Sequence, residues 1–436
     1  MIALIQLKSK YQMKKIISIL LLIIVFVSCK QEEYMPEPFG EKVAFKETTK
    51  MSLDEFLTSS QCTFFKKALD RGTVYTLLNS EWKRSPHTFL IPSDAAFVEA
   101  GFTQNKLENM NPADLDSIVL YHTLSEKIDT ANVKSIHGNI RVNTRLESAN
   151  IGFENSYTFQ KYIYVHYLGI VHKKVLINGK TVGDYKISQT KEGDAIILDH
   201  FLKKPEKTLW QAMKADPRLS MFIELIEAND KLYNKIFYFN EAPWVVYAMQ
   251  SGVIGKNLDL SKDPNNSKNL YINRHTSIFA PTNEAFIKAG YSTVEELLKL
   301  NDPYSKLRGR YLRFGTEAPY NYQTFHKTDS ILSYHHGWGE RYFPSDGFRG
   351  FPTVFFSNDL TNEFLGNYVL QMETMSPKNQ PRVTCPFLFI SENGKKKMRL
   401  KNAKVNTEDA TIIEQDILTL NGPLYIVDRL FIPNHF

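Results

Sequence analysis

The chain has 436 residues, 43% of them hydrophobic and 23% charged, a composition that excludes a disordered chain and suffices for two or three domains with sizeable cores. Its formal net charge is +6, but Lys8, Lys10, Lys14 and Lys15 lie ahead of Cys29 with no acid among them, which leaves about +2 for the rest. The longest basic cluster in that remainder is Lys395-Lys396-Lys397 beside Gly394, an exposed turn and not a counterion-displacing stripe, so nucleic acid is not an expected partner.

At the N-terminus, Lys14-Lys15 precede an apolar run from Ile16 to Val27 broken only by Ser18, and Ser28-Cys29 follow. Positive, apolar and small segments in that order make a secretory signal. The run of twelve residues is shorter than the roughly 20 that a spanning helix needs. Because a signal opens with its own basic segment, the true start is expected at Met13, within a signal peptide covering residues 1–28. Phe26-Val27-Ser28-Cys29 resembles a bacterial lipobox, with Phe26 where leucine is usual, and the resemblance implies that Cys29 is acylated. Lys30-Gln31-Glu32-Glu33 resembles the export tag of Bacteroidetes-type surface lipoproteins. Glu, Pro and Gly up to Gly40 suit a flexible leash, so residues 29–50 read as a lipidated tether that holds the chain on the outside of the outer membrane.

Past the tether, Ser52-Leu53-Asp54-Glu55 forms a capping box, and Phe56, Leu57, Phe64, Phe65, Ala68 and Leu69 are candidate core residues. Thr88-Phe89-Leu90-Ile91-Pro92-Ser93-Asp94-Ala95-Ala96-Phe97 is then echoed 189 residues later by Ser277-Ile278-Phe279-Ala280-Pro281-Thr282-Asn283-Glu284-Ala285-Phe286. Each copy reads as a buried strand stopped by proline, a polar cap, and a short helix ended by Gly101 or Gly290. Asn111-Pro112 and Asp302-Pro303 are helix starts. Tyr162 to Tyr167 and Lys174 to Gly179 read as strands, the second entering an Asn-Gly hairpin turn. A closing box, Glu192 to Asp199, aligns without gaps on Asn421 to Asp428 at a shift of 229, so the second copy carries 40 extra residues between its boxes. Helices early and strands late in each copy predict an α+β fold, with the boundary near Lys203 to Lys207. Cys62 and Cys385 sit in different copies and are expected as two buried free thiols.

The two opening boxes, the middle Tyr121-His122, and the closing Asn421-Gly422, Asp428 and Pro433 resemble the fasciclin domain, a family of extracellular adhesion modules. The resemblance implies a β-wedge or sandwich flanked by short helices, built twice: residues 51–205, and residues 208–436 with insertions. Ile196 and Tyr425 stand where the closing box usually has histidine.

In the family the Tyr-His pair is implicated in receptor adhesion, which makes Tyr121 and His122 candidate ligand residues; the other reading is a packed, hydrogen-bonded histidine. At a shift of 191 the second copy has Leu312-Arg313, so one copy keeps the pair and one is expected to lack it. The segment from Tyr320 to Phe356 is dense in aromatic residues, and Trp338 between two glycines, Tyr334 and Tyr342 are the candidate anchors for a protein or glycan surface, against a satellite core under a long loop. His326, His335 and His336 do not share ligand spacing, and neither a metal nor another cofactor is expected. No G-x-S-x-G, H-E-x-x-H, C-x-x-C or phosphate-loop motif occurs, so catalysis is not expected, with paired carboxylates keeping a glycoside hydrolase as the enzyme alternative. The expected function is adhesion to, or binding of, an extracellular protein or glycan. The alternative partner is an outer-membrane transporter complex, with the chain as its glycan-binding accessory.

Overall fold

The computed structural model describes residues 51–83, 85, 87–128, 133, 138–155, 158–236, 270–272, 275–301, 327–335, 354–372, 382–403, 406–432 and 434. All of them fall in the unit Lys50–Phe436.

The first copy opens with α1 (Leu53–Ser59), α2 (Thr63–Arg71) and α3 (Val74–Asn79). α1 begins at the predicted capping box: the Ser52 hydroxyl accepts from the Glu55 amide and the Glu55 carboxylate accepts from the Ser52 amide. α2 buries Phe65, Ala68 and Leu69, the i, i+3, i+4 face of an amphipathic helix. β1 (Thr88–Pro92) is buried throughout, and Ser93 caps α4 (Asp94–Glu99) by accepting from the Ala96 amide. α5 (Gln104–Asn109) follows, then α6 (Pro112–Tyr121), capped by Asn111 with proline at its first position.

Seven more strands complete this copy: β2 (Thr123–Leu124), β3 (Ile140–Asn155), β4 (Thr158–Val171), β5 (Lys174–Ile177), β6 (Lys180–Asp184), β7 (Ser188–Gln189) and β8 (Asp194–Leu198). The sheet order is β6-β5-β4-β3-β2-β1-β8-β7. β1 and β8, the two repeated boxes, lie parallel, from Thr88 beside Asp194 to Pro92 beside Leu198. Alternation along β1 divides its side chains between two cores: Phe89 and Ile91 pack under the helices with Phe65, Phe97 and Val119, while Leu90 packs inside the curled sheet with Tyr162, Leu168 and Ile196. Asn178 and Gly179, at φ 51° and 80°, make the β5–β6 hairpin turn.

The second copy holds α7 (Leu209–Lys214), a 3₁₀ turn (Pro217–Leu219), α8 (Ser220–Ile236), β9 (Leu270–Ile272), β10 (Ile278–Pro281), α9 (Asn283–Lys288), α10 (Val294–Leu298), α11 (Lys327–His335) and α12 (Asn362–Leu365). Its strands continue as β11 (Val369–Met372), β12 (Arg382–Thr384), β13 (Phe387–Glu392), β14 (Lys395–Leu400), β15 (Ala410–Thr419) and β16 (Gly422–Val427). β10 and β16 lie parallel, as β1 and β8 do, within the order β10-β16-β15-β14-β13. β9 pairs with β3, so a strand after the connector extends the first copy's sheet.

Matching hydrogen bonds identify the two copies as one fold. Thr208 and Gln211 repeat the capping box of Ser52 and Glu55. The first amide of each opening helix is held by the closing box: Leu53 N donates to Glu192 Oε2 at 2.7 Å and Leu209 N to Asn421 Oδ1 at 2.8 Å. Asp94 accepts from Phe64 N at 2.8 Å, and Asn283 from Met221 N at 2.9 Å. The fold is α+β in both copies. Cys62 and Cys385 are free and buried, as expected.

Glycine in the closing box is required by a backbone crossing. At Gly422, φ is +131° and a Cβ would collide with the Thr276 carbonyl; at Gly193 it would lie 2.7 Å from the His87 carbonyl oxygen. Gly290, at φ +92°, has open space around it. Gly422→Ala should therefore lower the urea-unfolding free energy by at least about 2 kcal/mol, against about 1 kcal/mol for Gly290→Ala. Equal losses would contradict the crossing.

Candidate functional site

Tyr121 and His122 end α6 inside the protein, 2% and 0% exposed. His122 Nδ1 donates to the Ile118 carbonyl at 2.8 Å, and Nε2 accepts from the Leu202 amide at 3.2 Å. One donor and one acceptor fit a neutral imidazole, and burial holds its pKa down to about 3. The Tyr121 ring packs on His166 with centroids 4.5 Å apart. His166 Nε2 donates to the Tyr121 carbonyl at 2.9 Å, and burial holds this histidine down to about 4. The pair thus ties the end of α6 to β4 and to the residues after β8, which is the packed reading of the two.

Leu312-Arg313 lies outside the described residues. The structure puts Tyr334-His335 in the equivalent place, which corrects the expectation that the second copy lacks the pair. His335 Nδ1 donates to the Phe279 carbonyl at 2.6 Å, and Nε2 accepts from the Phe431 amide at 3.0 Å. Phe431 is the closing-box counterpart of Leu202, and Phe279 the opening-box counterpart of Leu90, whose amide donates to the His122 carbonyl. Phe222 meets His335 edge-on at 5.6 Å as Phe65 meets His122 at 6.3 Å. The shift between the pairs is 213, so 24 of the extra residues (213 less 189) precede the second pair and 16 (229 less 213) follow it. An offset carried from the helix-start signal misses it for that reason.

Tyr334 is 1% exposed, its hydroxyl accepting from Asn402 Nδ2 at 3.1 Å, and Phe355 and Phe356 of the same aromatic segment are buried as well. These three belong to cores. Trp338 and Tyr342 lie outside the described residues, as do His326 and His336, while both ring nitrogens of His335 are engaged as above.

Chemistry concentrates instead where the copies meet, a site that no motif announced. Leu420, in the closing turn of the second copy, is 1% exposed and packs in the first copy's core with Tyr121, Tyr162 and Leu202. Tyr162 Oη donates to the Leu420 carbonyl at 2.6 Å, and Tyr167 packs against Phe356 at 5.3 Å. His275 stacks on Tyr162 at 6.0 Å, and burial holds its pKa down to about 3. Beside these contacts lies a polar cluster, its asparagines partly buried and its aspartates buried. Asn139 of the first copy and Asn358 of the second exchange hydrogen bonds at 3.1 Å, and Asn139 also donates to Asp359 Oδ2 at 2.8 Å. Asp359 further accepts from the Phe356 amide, yet burial pushes its carboxyl up to about 7. Asp416, at φ 54° in β15, accepts from the Ser357 amide and from Tyr425 Oη, both at 2.8 Å. Tyr425 therefore uses the closing-box position to anchor a carboxylate, and the Asp416 side chain lies against Gly179 of the first copy.

A cleft of about 370 Å³ opens at this junction, walled by the β5–β6 hairpin (Ile177 to Val182), by His200 to Lys203 of the connector, and by Asp416 and Leu418 of β15.

Residues 60–202 match the fasciclin domain family. The match takes in both boxes and the Tyr-His pair of the first copy, and the correspondences above extend the same arrangement to the second. The chain is also similar to the solved FAS1 domain pair from the insect cell adhesion molecule fasciclin I, at 16% sequence identity over 86% of this chain and 97% of that one, with a TM-score of 0.28. No curated protein matches the chain.

The buried groups give a pH dependence with a definite sign. His122, His166 and His275 have folded pKa values below the ordinary 6.5, so their stabilisation is complete above pH 6.5 and is lost as pH falls, at up to about 1.4 kcal/mol per unit each. Asp359 has its value raised from 3.8 to about 7, so its contribution is complete below pH 3.8 and is lost as pH rises through 7. Three groups outweigh one, and urea-unfolding stability should fall between pH 7 and pH 5. Asp359→Asn should steepen that fall and raise stability at pH 8; parallel curves for the two proteins would refute the assignment of Asp359.

Proposed function

We propose that the chain is a cell-surface lipoprotein that binds an extracellular protein or glycan and performs no chemistry on it. Cys29 carries the lipid, and residues 29–50 tether the binding unit outside the outer membrane. The observation that carries this reading is the fasciclin match over residues 60–202 together with its second, internal copy. One support accompanies it. The buried carboxylates Asp359 and Asp416 are held by backbone amides and by Asn139 and Tyr425, which suits a structural role better than hydrolysis.

An uptake accessory beside an outer-membrane transporter shares the same anchor, and the ligand separates the two. Purified protein that retains cells or matrix protein on a surface supports adhesion; binding confined to a glycan array supports nutrient capture; turnover of a glycan overturns the non-catalytic reading. The anchor has its own test. Several acyl chains hold firmly because each buried methylene contributes about 0.8 kcal/mol. Cys29→Ala should move the protein from the membrane fraction to a soluble or unprocessed form, and equal membrane retention would exclude lipidation at Cys29.

A further inference from the structure

The junction cleft is lined by two lysines, a histidine and an aspartate, with apolar side chains between them. Lys174 and Lys161 of the same sheet are paired, with Asp184 at 2.6 Å and Glu147 at 3.3 Å. Lys180 and Lys203 at the cleft are exposed and have no carboxylate partner among the described residues. His200 beside them faces Glu99 at 3.1 Å. Between the cations the wall is apolar: Ile177, Val182 and Leu202 are buried, and Phe201 and Leu418 partly so. Asp416, the cleft's one acid among the described residues, spends Oδ1 on Ser357 N and Tyr425 Oη. A volume of about 370 Å³ lies in the range of roughly 300–1,000 Å³ that small-molecule sites occupy, and would otherwise hold about a dozen waters against apolar walls.

We propose that this cleft binds a small organic anion, a single carboxylate or sulfonate head on an apolar body. The head sits at Lys180 and Lys203, two ammonium groups with no carboxylate partner among the described residues, while Asp416, the acid lining the cleft, is engaged by Ser357 N and Tyr425 Oη. The body covers Val182, Leu202 and Leu418 and releases water from them. Both copies build the wall, so occupancy adds contacts across the junction and stabilises the folded chain by mass action. This site is separate from any macromolecular ligand surface, and either proposal can fail alone.

The test uses the full mature chain and 1-anilinonaphthalene-8-sulfonate, which has one anionic head on an aromatic body. Fluorescence should rise saturably to one equivalent, decanoate should displace the probe, and decylamine should not. Lys180→Glu with Lys203→Glu should weaken binding about tenfold or more. Thr181→Trp, at an exposed lining position, should block it while leaving the unfolding midpoint unchanged, so that loss of binding is separable from loss of fold. Absence of saturable binding, equal displacement by decylamine, or unchanged affinity in both variants overturns the proposal.

Discussion

One turn, Thr419 to Gly422, closes both copies at once. Within the second copy Asn421 accepts from Leu209 N, the Thr276 amide donates to the Asn421 carbonyl, and Gly422 passes under the Thr276 carbonyl with no room for a side chain. Toward the first copy, Leu420 packs in the core and its carbonyl accepts from Tyr162 Oη, while its amide donates to Lys207 of the connector. The equivalent turn of the first copy has Lys191 in place of Leu420, exposed to solvent, with its amide on Met51. Lysine against leucine at one repeated position is what makes the junction directional: the first copy's turn ends at water, and the second copy's turn ends inside its neighbour.

The junction polar groups depend on that closure. Asp359 and Asn139 meet because the apolar contacts of Leu420, Tyr167 and Phe356 bring their segments together. A carboxyl pushed up to about 7 is the consequence of enclosing it, and the bonds from Asn139 and Phe356 offset only part of that cost. Enclosing such a cluster adds little net stability. The cleft is the space left where the β5–β6 hairpin and β15 diverge beyond these contacts.

Much of each copy was legible in the sequence because its signals are local. Ser52-x-x-Glu55, Asn111-Pro112 and Asn178-Gly179 act within a few residues, and each does in the structure what its chemistry dictates. The two boxes were legible because the parallel pairing of β1 with β8 and of β10 with β16 demands continuous apolar strands, twice, in gapless register. The Tyr334-His335 pair was not, since an insertion shifted it by 24 residues relative to its box and only its partners, Phe279 and Phe431, mark it. Asn139, Asp359 and Asp416 were beyond reach, being far apart in the chain with no spacing rule to join them. Lys191 against Leu420 was the one visible signal of the junction, a charged and an apolar residue at the position just before the aligned closing boxes.

If the turn joins the copies as described, stability in the first copy depends on a residue of the second. Native-state hydrogen exchange on Leu420→Ala reads this most directly, through the amides of β1 and β8 in the first copy and of β10 and β16 in the second. Truncating a leucine buried in a well-packed core costs about 2–5 kcal/mol. The structure predicts that protection falls by a comparable amount in β1 and β8 as in β10 and β16. Loss confined to β10 and β16, with β1 and β8 protected as in the parent protein, would show the copies to be independent and contradict the shared closure.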